Sequence, residues 1–120
     1  MSRGGILTAV LAGVALLGAA PAQAAANPKP KTIRIGDNYY LPDAVKVKRG
    51  TVVTWRWPGF DMAGDVHDVK LKSGPNGVKK FHSEPASTDY SFKRKLKTPG
   101  LYKIVCTLHE EMRMTIRVKH

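Results

Sequence analysis

Short runs in which every second residue is apolar recur along the chain, beginning at residue 32. This two-residue period is typical of strands that face a core on one side and water on the other. The runs are rich in Val, Ile, Trp and Tyr, which favour strands. The sequence therefore predicts strands over residues 32–35, 45–48, 52–57, 66–72, 90–97, 101–106 and 114–119, with a strand fragment at 81–83.

Turn signals separate these runs, among them Gly36-Asp37-Asn38 and Thr98-Pro99-Gly100. The sequence has no convincing helical period, no internal repeat and no sign of a second domain. Many short strands with frequent turns favour a sandwich or a barrel. We therefore predict an all-β fold, a Greek-key β-sandwich of two sheets with about seven to eight strands. The domain spans residues 32–120 and follows an extended, proline-containing lead-in over residues 25–31.

The first 24 residues differ in composition from the rest of the chain. Arg3 precedes an apolar run without charges over residues 6–20, and Ala22-Gln23-Ala24 fits the small-x-small rule for cleavage. The run is shorter than the ~20 apolar residues that span a bilayer. We predict a secretory signal peptide over residues 1–24, cut after Ala24 or alternatively after Ala26. The mature protein is then exported, periplasmic or secreted, and has no integral membrane span.

The only cysteine, Cys106, ends one predicted strand; His109 follows after two residues and Met112 after two more. A lone cysteine in an exported chain has no disulfide partner within the chain, so it is a buried thiol, pairs between chains, or is put to use. Soft sulfur ligands beside imidazole select copper, and two histidines, a cysteine and a weak axial methionine form electron-transfer copper sites. The loop supplies one of the two histidines.

His67 is a candidate for the second histidine. In its predicted strand it shares one face with Val69 and Leu71, while Asp68 lies on the other face. The alternation therefore predicts a buried His67. Taken alone, such a residue is more often a core histidine bonded to a backbone carbonyl, and only the cysteine loop makes it a candidate ligand.

The chain is strongly basic, with a formal net charge of +11 and a pI of about 10.1. Only Arg3 among the basic residues lies in the predicted leader. A basic exported protein favours acidic partners or anionic surfaces. Export, together with the lack of a basic-aromatic recognition motif, argues against nucleic acid. We therefore expect a monomer that meets an acidic protein partner, with association with anionic surfaces as a further option.

The cysteine loop, taken with His67-Asp68-Val69, resembles the cupredoxins, the blue copper proteins of plastocyanin, pseudoazurin and above all amicyanin type. Residues 48–55 and 99–102 add to the resemblance, which covers essentially the whole mature chain. It implies one copper ion per chain. It also implies that the protein carries single electrons between redox partners and is not an enzyme. The copper ligands that it implies are His67, Cys106, His109 and Met112.

Two details of the loop bear on this ligand set. A longer spacing, as in plastocyanin, would make Met114 the axial ligand; we prefer Met112, because Met114 keeps the register of the core residues that follow. Glu110 and Glu111 directly follow His109, and their charge favours the oxidised metal. His109 is the expected exposed edge through which electrons leave, and Asp68 is a candidate for orienting the ligands.

Other functions compete with an electron carrier. A copper storage or delivery protein would use the same ligands but lack the intense blue thiolate band. A zinc site could combine Cys106, His67, His109 and His82, although His82 lies in a turn-rich segment and is expected to be exposed. The intact ligand set argues against a metal-free interaction module. Catalysis is not expected, because no Ser-His-Asp pattern and no paired carboxylates are present.

Overall fold

A computed structural model describes residues 27–120 of the chain. The predicted signal peptide over residues 1–24, with both cut sites, lies outside the described residues. The described part forms eight strands: β1 (Lys31–Gly36), β2 (Tyr39–Leu41), β3 (Ala44–Lys48), β4 (Thr51–Arg56), β5 (Lys70–Ser73), β6 (Ser91–Leu96), β7 (Gly100–Cys106) and β8 (His109–Lys119). One turn of 3-10 helix, Phe60–Met62, lies between β4 and β5. Between residues 27 and 120, no helix is long and apolar enough to cross a membrane.

The strands form two four-stranded sheets, in the orders β2-β1-β4-β6 and β3-β8-β7-β5. Both sheets are mixed, since β1 runs parallel to β4, and β3 runs parallel to β8, among otherwise antiparallel pairs. The predicted all-β, two-sheet sandwich is confirmed. The carboxyl ends of β4 and β7 and the amino end of β8 lie at one end of this sandwich, and the residues of the predicted site are found there.

The core lies between the sheets and is built by the apolar positions that alternate along the strands. Trp55 is fully buried at its centre and packs against Phe81 and Phe92, with ring centroids 6.0 and 5.9 Å away. Its indole N–H donates to the sulfur of Met114 at 3.4 Å. Full burial of one such large side chain stabilises a fold by about 1.5–3 kcal/mol. The core therefore fixes β4, β6 and β8 relative to one another.

The strand predicted over residues 66–72 is shorter than expected, because β5 begins at Lys70. Residues before it pair with the crossover that follows β5: the backbone N–H of His67 donates to Ala86 O, and the N–H of Ala86 donates to His67 O. The fragment predicted at 81–83 is likewise reduced to one isolated bridge, between His82 and Lys70. His67 is thus held outside the regular ladder. The side chain of His67 is buried, as predicted. Asp68 is buried too, although the alternation of apolar and polar residues predicted that it faces the solvent.

Two further elements differ from the sequence prediction. β2, a strand of three residues, lies between two turn signals and pairs with β1. β8 begins at His109, so most of the predicted loop after Cys106 belongs to the strand. β2 is too short to show a two-residue period, and in β8 the period is lost only at the amino end, over residues 109–111.

Candidate metal centre

Three of the four predicted ligands meet at one end of the sandwich. The Nδ1 atoms of His67 and His109 lie 3.2 Å apart, and the Sγ of Cys106 lies 3.6 Å from Nδ1 of His109. All three ligand atoms lie within 4.8 Å of one another. The sequence brought these residues together only by pattern and resemblance, and the fold places them in contact.

A tight turn positions two of these residues. Cys106 is the last residue of β7 and His109 the first of β8, and the two are paired across Thr107 and Leu108. The next pair along the ladder is Val105 with Arg113, so residues 110–112 have no partner in β7. This bulge lets the hairpin begin at the cluster and still bring the rest of β8 into register with the core.

Hydrogen bonds to the main chain of His67, from residues outside the cluster, hold its segment in place. Besides its paired bonds with Ala86, the indole N–H of Trp57 is shared between Ala86 O at 2.7 Å and His67 O at 3.3 Å. Trp57 directly follows β4 and is itself buried. The position of His67 is therefore set by the end of β4 and by the 84–90 loop.

The side chain of His67 is oriented by Asp37, a residue of the β1–β2 turn. Nε2 of His67 lies 3.1 Å from Oδ1 of Asp37, and the same oxygen accepts the N–H of Asp65 at 2.9 Å. These two hydrogen bonds, that of Asp65 first, lower the pKa of Asp37. An ionised carboxylate can only accept, so it favours the tautomer that carries its proton on Nε2. Nδ1 of His67 is then left with a free lone pair facing the cluster.

Asp68 joins the two segments that carry the cluster. Its side chain is 4% exposed, and its carboxylate accepts the backbone N–H and the hydroxyl of Thr107, the residue after Cys106. It also lies 2.8 Å from Nε2 of His82. Burial raises the pKa of Asp68, but the hydrogen bonds from His82 and Thr107 outweigh it, so this pKa lies below its ordinary value. The orienting role expected for Asp68 thus has a definite geometry.

His82 does not belong to the cluster of ligand atoms, which comprises His67, Cys106 and His109. It is exposed as expected, and its Nε2 faces Asp68 instead. The four-residue zinc site is therefore not formed. Sequence reasoning missed Asp37 as a neighbour of the cluster, and it did not predict the contact of His82 with Asp68. A carboxylate in a turn and a surface histidine carry no pattern that links them to a distant residue.

The two methionines of the amino-terminal half of β8 are both buried, but in different settings. Met112 is fully buried in the bulge, three residues after His109. Met114 is in register with Ile104 and accepts the Trp55 N–H, which accounts for it as a core residue. This setting agrees with the preference for Met112 as the candidate fourth ligand.

Two of the three spacings between the ligand atoms, those that involve His109, match atoms bonded to a single metal ion, and the third lies within 4.8 Å. Two atoms bonded to one ion at about 2.0–2.3 Å with near-tetrahedral angles stand about 3.3–3.6 Å apart, close to the 3.2 and 3.6 Å found here. One thiolate and two imidazoles are ligands that suit copper. The side chain of His67 is 3% exposed and that of His109 is 21% exposed, so His109 forms the edge that reaches the surface.

Known proteins share this fold. The chain is 28% identical to amicyanin-alpha of Methylorubrum extorquens over 87 residues, which cover 72% of this chain and 70% of that protein. The crystal structure of amicyanin from Paracoccus versutus superposes with a TM-score of 0.63 at 25% identity, covering 85% of this chain and 87% of that one. A copper-containing nitrite reductase from Thermus scotoductus superposes with a TM-score of 0.63 at 21% identity. This chain spans only 27% of the nitrite reductase, which therefore shows the fold alone.

The family model of copper binding proteins of the plastocyanin/azurin family matches residues 30–119. This range contains every strand of the sandwich and all three residues of the cluster. The resemblance to the cupredoxins is thereby confirmed, and so is copper as the cofactor. The chain belongs to the copper-binding plastocyanin/azurin family.

Proposed function

We propose that the protein is an exported type 1 (blue) copper protein that carries single electrons between redox partners and is not an enzyme. The ligands in this proposal are His67, Cys106 and His109, with Met112 as the weak axial ligand. The observation that carries it is the convergence of two imidazole Nδ1 atoms and one thiol within 4.8 Å at the buried end of the sandwich. Bound copper supplies the one-electron exchange.

The residues around the cluster support a carrier because they hold its ligand atoms in place before any metal binds. Asp37 orients His67, and Asp68 ties the Cys106 turn to the His67 segment. A frame that changes little between oxidation states imposes little reorganisation on electron transfer. His109, the most exposed of the three, supplies the edge through which a partner exchanges electrons.

Export rests on the signal peptide predicted over residues 1–24, and a periplasmic or secreted location follows from it. The acidic partner rests on the net charge of +11, and both this partner and the monomeric state stay predictions. An acidic protein or an anionic surface would meet the lysines and arginines of the strands.

The test is an absorption spectrum of the purified domain during titration with Cu(II). We expect one equivalent to produce an intense blue thiolate band, and Cys106→Ala to abolish it. His67→Ala and His109→Ala should each remove tight binding, whereas His120→Ala, which removes an exposed histidine outside the cluster, should leave the band unchanged. A colourless complex that binds copper tightly would reject the carrier and favour storage or delivery.

A further inference from the structure

The charges of this basic protein are segregated. The metal-edge loops, defined as residues 37–38, 57–69, 84–90 and 107–112, surround the cluster. They contain eight of the nine acidic residues of the sequence and none of its 20 lysines and arginines. The ninth acidic residue, Asp43, lies in the β2–β3 turn. The sign of the charge around the metal edge is therefore opposite to that of the whole protein.

The acidic residues lie on the surface, except for Asp68. Seven are exposed: Asp37, Asp61, Asp65, Glu84, Asp89, Glu110 and Glu111. Asp65 reaches the exposed edge itself, with Oδ2 3.8 Å from Nε2 of His109. Arg113 borders the loops and donates to the carbonyl oxygen of Glu110. Arg56, Lys70 and Arg113 directly flank the loops, and Lys70 and Arg113 line one cavity with Cys106 and Glu110. The eight carboxylates outnumber these three flanking cations.

Hydrogen bonds join the metal-edge loops into one surface. The N–H of Asp65 donates to Asp37, and the N–H of Asp89 donates to Pro58 O at 2.8 Å. The N–H of Thr107 donates to Asp68 at 2.7 Å. Because each loop is bonded to another, the four loops form one continuous surface.

Apolar side chains lie within the same loops. Phe60 and Met62 are 82% and 72% exposed, and Val66 and Leu108 are 45% and 52% exposed. Protein interfaces commonly combine an apolar centre with a polar rim. Exposed apolar residues beside the cluster, within a set of carboxylates, have this composition.

The opposite end of the sandwich carries basic residues. The N–H of Arg49 donates to Lys119 O, and that of Gly50 donates to Leu96 O, which brings the ends of β3, β6 and β8 together there. The exposed basic residues at this end include Lys48, Arg49, Lys95, Lys97 and Lys119. The charge axis therefore runs along the strands, with the negative end at the cluster.

We propose that the metal edge is an acidic docking surface for a cationic redox protein, one whose electron-exchange face carries lysine or arginine. This rests on the proposed function, but for electron exchange it replaces the acidic partner predicted from the net charge with a cationic one. Opposite charge steers encounters and selects partners. Since the nearest charges dominate once two proteins are closer than the ~8 Å screening length at physiological salt, the local sign prevails over the net sign at contact.

The first test needs no copper. Hexaamminechromium(III), a paramagnetic and redox-inert trication, is added to the metal-free domain and backbone amide signals are followed by NMR. We expect selective broadening of residues in the metal-edge loops, whereas anionic hexacyanochromate(III) should broaden the opposite end. Broadening by the trication at the opposite end, or equally everywhere, would overturn the proposal whether or not the protein proves to be a carrier.

The second test measures electron exchange of the copper-loaded domain. Hexaammineruthenium(II) gives one electron to Cu(II), forming Ru(III) and Cu(I), and ferricyanide takes one electron from Cu(I), forming Fe(II) and Cu(II). We expect the rate with the ruthenium cation to fall as salt is added and the rate with ferricyanide to rise. The reverse pattern, which the net charge of +11 alone would give, would reject the docking surface while leaving the electron carrier intact.

Two matched variants separate local charge from net charge. Asp61→Asn and Asp43→Asn each remove one exposed carboxylate, the first from the metal-edge loops and the second from outside them. We expect Asp61→Asn to slow exchange with hexaammineruthenium(II) about two- to fourfold at low salt, and Asp43→Asn to have little effect. Equal effects of the two would show that only net charge matters and would contradict the proposal.

Discussion

Asp68 is the residue on which the two halves of the metal centre depend. Its buried carboxylate accepts two hydrogen bonds from Thr107 and faces His82, while its own backbone continues from His67. Its backbone carbonyl in turn accepts the hydroxyl of Tyr40 at 2.7 Å. A buried carboxylate without such partners would be costly, so the three side-chain bonds stabilise it and fix the turn after Cys106.

We predict that Asp68 and His82 are energetically coupled. In the metal-free protein, Asp68→Asn should lower the free energy of unfolding by about 1–3 kcal/mol, since it weakens bonds to a charged acceptor. His82→Ala should lower it by about 1 kcal/mol in the wild-type background and hardly at all beside Asp68→Asn. Denaturant unfolding of the four proteins measures this, and additive effects would contradict the coupling. In the copper-loaded protein, Asp68→Asn should raise the reduction potential.

At the scale of single residues, the sequence predicted the residues of the cluster but not all of their neighbours. The two-residue period correctly predicted that His67 is buried, but it wrongly predicted that Asp68 is exposed. The reason is that His67 bonds to Ala86 and Val69 bonds to Ser83, and neither residue lies in a regular strand. Asp37 was visible only as part of a turn. Hydrogen bonds between segments 28 to 42 residues apart leave no local pattern.

Among the elements, β8 is the one that serves both the core and the cluster. Beyond the bulge at residues 110–112 it is paired along its length with β7 and, through β3, completes its sheet. The bulge marks the boundary between the stretch fixed by the core and the stretch next to the cluster. Met112 lies on one side of this boundary and Met114 on the other.

We predict that the two methionines respond differently to replacement by leucine, which nearly conserves volume and removes the thioether. Met112→Leu should leave copper bound but shift the reduction potential, because it removes the axial sulfur. Met114→Leu should cost about 1 kcal/mol of stability through the lost Trp55 hydrogen bond and leave the potential unchanged. Voltammetry and thermal unfolding separate these effects; a shift of potential in the second variant alone would reverse the assignment.

The hairpin also shows how far element prediction reaches. Alternation located β7 and the outer part of β8, because both bury every second side chain. It began the last strand too late, at residue 114 and not at His109, since the bulge interrupts the two-residue period. Resemblance to the cupredoxins, rather than periodicity, identified the residues within that interruption.

In the whole molecule, two glycines with positive φ lie away from the cluster of metal ligands. Gly100 begins β7 at the end away from the cluster and has φ +140°, in the region that favours glycine. A Cβ at this position would lie 2.5 Å from Cγ of Pro75. Gly77 also has positive φ, +84°, but a Cβ there would meet no atom within 4 Å. An alanine at Gly77 would therefore meet backbone strain alone, whereas an alanine at Gly100 would meet both backbone strain and a steric clash.

We predict that Gly100→Ala lowers the free energy of unfolding by more than Gly77→Ala, whose cost is about 1–2 kcal/mol from backbone strain alone. Because both sites are remote from the cluster, the spectrum of the copper-loaded protein should not change in either variant. Thermal unfolding and absorption spectra test this. A changed spectrum in Gly100→Ala would show that the two ends are coupled.

The overall fold could be predicted because the number of strands, the turns between them and the length of the chain leave few architectures for an all-β domain. The distribution of charge could not, since a count of lysines does not tell which loops the topology gathers at one end. The acidic residues near the cluster come from four separate stretches of sequence that meet only in the folded chain.

The separation of acidic and basic residues to opposite ends should orient the molecule at a charged surface. A film of anionic headgroups attracts the end that carries Lys48, Lys97 and Lys119 and repels the end that carries Asp61 and the neighbouring carboxylates. An adsorbed molecule should therefore stand with its strands upright and its copper facing away from the film, still accessible to anything that diffuses past.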